Sequence, residues 1–428
     1  MKNKLTFIDL FAGCGGLSLG LENAGFTPIF VNELNKDALA TYLENRKKEF
    51  PYLEEFNCND VKDLLKNKSK VHKRLKSNKL TAIDAKKDLD LLVGGPPCQG
   101  FSGIGHRRSY AVDKKDIPSN HLFEDMKDLV KYFKPKIFLF ENVRGLLAAK
   151  WDSEGEKGEI FKAVRKSFDI KGYKVHPVFI RAKDYGVPQN RPRVFLVGIR
   201  KDLKTSQKVP KTKVEDENLN AAIEYGLFPS PEGKDKAPDL IDLLGDLIDP
   251  QFKKGIKETK KYPKKCTKEI QQYFRKKTLN SNYIFEKGDE ITDHVYSQHK
   301  QIVTEKFQYM IDNKGVINKK HKTKKFSQRL LMKQWEENGP NITATSLPDD
   351  YVHFSQPRTL TVREWARLQT FPDWYVFKGK RTTGGVRRAG NPREGIFERE
   401  VPKYTQIGNA VPVKLAEEIG KHLKKLIS

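Results

Sequence analysis

The stretch Leu91-Leu92-Val93-Gly94-Gly95-Pro96-Pro97-Cys98-Gln99-Gly100-Phe101-Ser102 decides how this chain is read. The apolar run Leu91 to Val93 predicts a short buried strand, and two glycines followed by two prolines stop it abruptly. The residue delivered past that stop is Cys98, a thiol at the carboxyl end of a strand, where open α/β sheets place their ligands. These residues alone leave two readings open: a reactive thiol, or a half-buried loop cysteine.

Upstream, Leu5 to Leu10 reads as a strand, Ala12-Gly13-Cys14-Gly15-Gly16 as a tight turn, and Leu17 to Asn23 as the start of a helix. Glycines in such a turn let backbone N–H groups and the helix amino end approach a ligand closely. A second strand, Pro28 to Val31, ends at Asn32-Glu33, and an acid at that distance suits ribose hydroxyls. Strand, glycine turn, helix, strand and acid together favour an adenosine-containing ligand over a bare packing turn. Asp60, in Asn57-Cys58-Asn59-Asp60-Val61, is a further candidate contact, although an Asp in a polar loop is commonplace. Lys62 to Lys87 is lysine-rich and reads as a helical excursion before the Leu91 strand.

Downstream, Gly103 to Asn120 has little periodicity and carries His106, Arg107, Arg108, Lys114 and Lys115, which suits either a lid that meets phosphates or a plain surface loop. Helix Leu122 to Tyr132 and strand Ile137 to Phe140 follow, and the strand runs into Glu141-Asn142-Val143. That carboxylate sits level with Cys98 if the two strands are parallel. Helix Ile160 to Phe168, strand Val175 to Ile180, Gln189-Asn190-Arg191-Pro192-Arg193 and strand Val194 to Ile199 continue the alternation, which predicts a doubly wound sheet.

Among 428 residues, 81 Lys+Arg face 55 Asp+Glu, a formal charge of +26 that favours a polyanionic partner, nucleic acid first. The plainer reading is a lysine-rich solvated surface. No apolar run reaches membrane-spanning length and no signal-peptide pattern opens the chain, so a cytoplasmic location is expected. Cys14, Cys58, Cys98 and Cys266 are scattered without metal-ligand spacing and read as reduced thiols, with no metal expected.

Beyond residue 200 the character changes. Thr205 to Pro250 holds five Lys+Arg against ten Asp+Glu, whereas Gln251 to Lys333 holds twenty-two against eight, interleaved with Tyr262, Tyr273, Phe274, Tyr283, Phe285 and Phe307. The basic segment suits phosphate tracking and base contact, with Lys264, Lys265 and Lys268 as candidates. Thr361-x-x-Glu364 is a capping-box signature ahead of Trp365, Ala366 and Leu368, and that helix reads as mainly structural. Phe377 to Lys403 is an arginine- and glycine-rich excursion. After Pro412, an amphipathic stripe of Val413, Ala416, Ile419, Leu423 and Leu426 closes the pattern.

Six blocks, in order, resemble the motifs of DNA cytosine-5 methyltransferases of the bacterial restriction–modification type. They are Phe7 to Gly16, Gly95 to Ser102, Glu141-Asn142-Val143, Gln189 to Arg193, Arg358 to Gln369 and Tyr404 to Pro412. The resemblance implies a Rossmann-like, S-adenosylmethionine-dependent catalytic domain over residues 1–200, completed by 404–428. A smaller, irregular target-recognition domain would occupy 201–356, with a bracing helix and hinge over 357–403. It implies methyl transfer to C5 of a flipped-out cytosine in double-stranded DNA, through a covalent adduct between Cys98 and C6. Glu141 would serve N3, Arg193 would bind O2, and Arg191 would support the site or a phosphate. Phe11, Gly13, Gly15, Gly16, Glu33, Asp60, Pro97 and Asn409 would hold S-adenosylmethionine. The block around Asp60 matches loosely, and Leu34 stands where an aromatic is common. A monomer paired in function with a restriction endonuclease is implied, with a target of the GG…CC type. A tRNA methyltransferase of the same superfamily and a catalytically silent DNA-binding module remain alternatives.

Overall fold

Seven strands carry the amino-terminal half: β1 (Leu5–Leu10), β2 (Phe26–Asn32), β3 (Asn57–Cys58), β4 (Leu91–Gly94), β5 (Ile137–Val143), β6 (Tyr173–Arg181) and β7 (Pro192–Arg200). Helices α1 (Gly16–Asn23), α2 (Lys36–Glu44), α3 (Val61–Ser77), α4 (Leu122–Phe133) and α5 (Glu159–Ser167) alternate with them. The computed structural model describes residues 4–77, 88–97, 114–211, 213–233, 236–278, 281–321, 328–335, 339–343, 350–383, 387 and 400–427. Cys98 and the proposed lid as far as residue 113 lie outside the described residues.

The sheet order is β3-β2-β1-β4-β5-β7-β6. Strand order reverses between β1 and β4, so the glycine turn after β1 and the Gly95-Pro96-Pro97 stop after β4 lie side by side at the switch point; Leu10 pairs with Gly94. The Rossmann-like reading holds. β7, however, runs antiparallel to both β5 and β6. Only residues 182–191 separate β6 from β7, too few for a crossover helix, so the chain can only turn back beside itself.

One face of the sheet buries Ile8, Leu92, Phe138 and Leu196 under α3, α4 and α5. The other buries Phe7, Leu91, Leu139 and Val197 with Leu415, Ala416 and Ile419 of helix Val413–Ile427. That closing helix lies against α1, and the contact requires glycine. A Cβ built on Gly20 would stand 2.4 Å from the Ala416 Cβ.

A third core joins Cys14 and Leu19 to Leu243, Phe274, Trp365, Tyr375 and Tyr404. Helix Val362–Leu368 passes through it, and its capping box forms as the sequence predicts. Thr361 Oγ1 accepts from Glu364 N, and Thr361 N donates to Glu364 Oε2 at 2.8 Å. The same carboxylate takes both Arg358 Nη groups at 2.7 and 2.8 Å, fully buried. Arg367 joins Asp246 and Asp373, and Arg275 shares Asp246. With this fork geometry every charge is matched, the condition under which buried ions are tolerated. Among the described residues no helix is long and apolar enough to cross a membrane.

Candidate active site

Glu141 lies on β5, one residue beyond the Phe140–Gly94 pairing, at the carboxyl edge beside β4. Arg193 pairs with Val143 in the antiparallel β5–β7 register, so the two side chains are diagonal neighbours on one face. Arg193 Nε stands 2.6 Å from Glu141 Oε1, with both side chains about nine-tenths buried. Burial draws the Arg193 guanidinium below its usual range, and Glu141 opposes that drop. The second carboxylate oxygen lies over bare backbone, since a Cβ on Gly95 would come within 2.8 Å of Oε2. Asn142 Nδ2 donates to the Pro96 carbonyl at 3.1 Å and so ties the loop entering Cys98 to β5. A fixed carboxylate and guanidinium thus flank the backbone that leads into Cys98. This arrangement can share a proton with, and bind an oxygen on, one planar heterocycle.

Arg191 has different surroundings. It is 1% exposed, its Nη1 donates to Ile342 O and its Nη2 to Gly408 O at 2.7 Å. Burial, then the neighbouring Arg193, lowers its guanidinium well below the usual range. Next to it, Gln189 Nε2 donates to Leu368 O and Oε1 accepts from Ile342 N. The block Gln189 to Arg191 therefore stitches together segments 340–342, 368–369 and 407–410, work that the motif alone did not reveal.

The glycine turn divides its labour. Gly13 has φ +57° and a Cβ there would meet nothing within 4 Å, so its missing side chain leaves open space above the turn. At Gly15, φ +85°, a Cβ would strike Arg46, Tyr42 and Tyr375, and at Gly16 the Val411 carbonyl at 2.4 Å. Phe11 also takes a positive φ, 57°. Glu33 Oε2 accepts from Gly13 N at 2.8 Å and Oε1 from Asn35 N at 2.7 Å. Each oxygen keeps a lone pair able to accept from a hydroxyl. Burial raises the Glu33 carboxyl, against those two N–H groups. Leu34, beside it, is 70% exposed and offers an apolar face. Open space, a fixed acid and an exposed apolar side chain fit an adenosine group. Asp60 caps α3, its Oδ1 accepting from Lys62 N at 2.8 Å. Pro97 and Asn409 are exposed at the ends of their segments.

Helix Lys403–Asn409 closes on the turn: Cys14 Sγ donates to Gln406 O, and Thr41 Oγ1 to Gln406 Oε1 at 2.7 Å. Beneath the turn, buried Arg46 bridges Glu22, the Gly15 carbonyl and the Tyr375 hydroxyl. Nothing in the sequence pattern marks Arg46, which reads as one more surface cation after α2. Among described residues no group of three His, Cys, Asp or Glu side chains could hold a metal ion. Of the three candidate lysines, Lys264 donates to Gly245 O at 3.0 Å and the exposed Lys268 pairs with Asp242 at 3.1 Å; Lys265 is also exposed.

A family model described as C-5 cytosine-specific DNA methylase matches residues 5–425. The Type II methyltransferase M.DdeI of Desulfomicrobium norvegicum is 31% identical over 98% of this chain and 88% of its own length. M.PspPI of Psychrobacter is 30% identical over 99% and 80%. A prophage-encoded Escherichia coli protein, described as a DNA modification methyltransferase, superposes with TM-score 0.62 at 25% identity over 99% of both chains.

Proposed function

This chain belongs to the C-5 cytosine-specific DNA methylases, and from that premise we propose that it methylates C5 of a cytosine flipped out of double-stranded DNA, with Cys98 as covalent nucleophile. The observation that carries the reading is the Glu141–Arg193 pair, set against bare Gly95 at the mouth of the Cys98 loop.

C5 of cytosine becomes nucleophilic only after addition at C6. The Cys98 thiolate forms the S–C6 bond, while Glu141 meets N3 with a proton and Arg193 holds O2, so the ring charge is shared between them. Gly13, Glu33 and Leu34 would hold S-adenosylmethionine, which would supply an electrophilic methyl group to C5, its S–CH3 bond breaking to leave S-adenosylhomocysteine. Once C5 is methylated, loss of its proton and breaking of the S–C6 bond restore the aromatic ring and free the thiolate. C6 is stacked within a duplex, so the base must first leave the helix. Arg191, Gln189 and Gln406 keep the two ends of the pocket together. The cellular reading is protection of DNA against a restriction endonuclease of the same specificity.

The test is a duplex carrying 5-fluorocytosine at the target, because fluorine cannot leave as a proton does. A denaturation-resistant adduct at Cys98, formed only with S-adenosylmethionine and absent in Cys98→Ser, is the expected result. An adduct at another cysteine overturns the nucleophile; methylation of tRNA but not duplex DNA overturns the substrate; no turnover on either restores the silent binding module.

A further inference from the structure

We propose that α3 is a second DNA-docking surface, one that follows the phosphates of the duplex flanking the methylated site. The inference rests on DNA being the substrate. It comes from a row of lysines lying outside the active site and outside residues 251–333.

Residues 61–77 hold seven Lys+Arg and one Asp. Lys62, Lys66, Lys70, Lys73 and Lys76 recur at steps of three and four, so they form one line along the helix, and all five are exposed. The opposite face is fixed. Val61, Leu64 and Leu75 are buried with Phe123, Met126 and Leu129 of α4. The platform is therefore rigid and the row points outward. The two cations off the line have partners: Arg74 pairs with Glu55 at 3.6 Å and lies over the Phe56 ring, and Lys68 lies over Tyr132. No ion pair is recorded for the five on the line among the described residues, and on neighbouring α4 Lys127 already pairs with Glu124 and Asp128.

Four successive like-charge neighbours oppose helix formation by a few tenths of a kcal/mol each. A face that needed only solubility would intersperse acids; a bound polyanion removes the repulsion. From Lys62 to Lys76 the row spans about 21 Å, roughly six base pairs of duplex. Its starting point favours DNA over an anionic lipid surface. α3 leaves the carboxyl edge of the sheet at Asp60, directly after Asn59, whose side chain donates to the Glu33 carbonyl at 3.1 Å. The row therefore begins at the rim of the site and leads away from it.

The experiment compares the full chain with Lys66→Gln/Lys70→Gln/Lys73→Gln, by binding to duplexes of increasing flank length across a salt series. Loss of three phosphate contacts should lower the salt slope by about 2.7. Between 50 and 200 mM salt the wild type should then lose about 40-fold more affinity than the variant. Lengthening the flanks by roughly six base pairs should tighten the wild type and leave the variant unchanged. The Lys→Arg triple should behave as wild type, and the methylated sequence and the turnover at saturating DNA should be the same in all three. Equal slopes and equal flank gains in wild type and Gln variant overturn the proposal, as does loss of binding to phosphatidylserine vesicles with DNA binding intact. Failure of the methyltransferase reading would look different: the wild type would methylate no duplex of any length.

Discussion

Arg367 Nη1 stands 2.6 Å from Asp246 Oδ1, and neither side chain reaches solvent. Asp246 also holds Arg275 at 2.7 Å, so one carboxylate serves two buried guanidinium groups. Asp246→Asn should cost about 3–5 kcal/mol, because it leaves cations buried without their counter-charge. Denaturant unfolding at neutral pH measures this. A loss under about 1 kcal/mol would mean that the network relaxes into water.

Stability should carry an acid limb owed to two buried histidines. Burial lowers His294 to about 4 and His353 to about 3. In the unfolded chain both titrate near 6.5, so unfolding takes up protons below that pH. The stability each contributes is complete above about 6.5 and is lost as pH falls toward its folded value, about 3 kcal/mol for His294 alone. Asp9 and Glu22, raised to about 7 by burial, act in the opposite sense between roughly pH 4 and 7. Only the difference between wild type and a variant isolates the histidine. Between pH 7 and pH 5 the unfolding free energy of His294→Gln should fall less, or rise more, than that of the wild type, and an identical change in both proteins would refute the assignment.

Gly13 and Gly16 should separate binding from folding. Gly16→Ala drives a methyl into the Val411 carbonyl and should lower stability by roughly 1–3 kcal/mol. Gly13→Ala meets open space and only the modest strain of φ +57°, about 1 kcal/mol, yet its methyl enters the cofactor side. Calorimetric affinity for S-adenosylmethionine should fall about tenfold for Gly13→Ala. If Gly13→Ala binds normally, the turn does not face the cofactor.

Glu141→Gln keeps the shape of the side chain but removes the carboxylate that faces Arg193. Turnover should drop by about 10²–10⁴, the range of general acid–base contributions, with DNA affinity nearly unchanged. Arg193→Lys should lose comparable activity, since an ammonium cannot reproduce the Nε contact and the fork together. Single-turnover kinetics at saturating DNA distinguish this from weakened binding.

The first half of the fold was legible because its signals are local. Leu5 to Leu10 followed by a glycine turn, and Leu91 to Val93 followed by Gly-Gly-Pro-Pro, state strand and stop within a few residues. Glu141 lies one residue beyond the Phe140–Gly94 pairing, where the parallel reading of β4 and β5 puts it. The direction of β7 was missed because antiparallel pairing leaves the same apolar run as parallel pairing; only the shortness of residues 182–191 hinted at it. Arg46, and the contacts that Gly95 and Gln406 make from within their motifs, were missed for another reason. Each acts on a partner far along the chain, as Thr41 does on Gln406, and no sequence periodicity spans such distances. The partners of Lys264 and of the exposed Lys268, Gly245 and Asp242, come from the acidic segment before them, and no local pattern reveals those contacts.

The Cys14–Gln406 hydrogen bond links residues 392 positions apart. Synthesis runs from the amino end, so the glycine turn is finished early and then waits for helices Lys403–Asn409 and Val413–Ile427 to emerge and close it. Closing so long a loop costs little more entropy than closing a short one, but it is slow to find. A chain halted before residue 403 lacks the partners of Cys14, Thr41 and Gly20 together. A chain released by interrupted translation therefore carries the glycine turn without the groups that close over it.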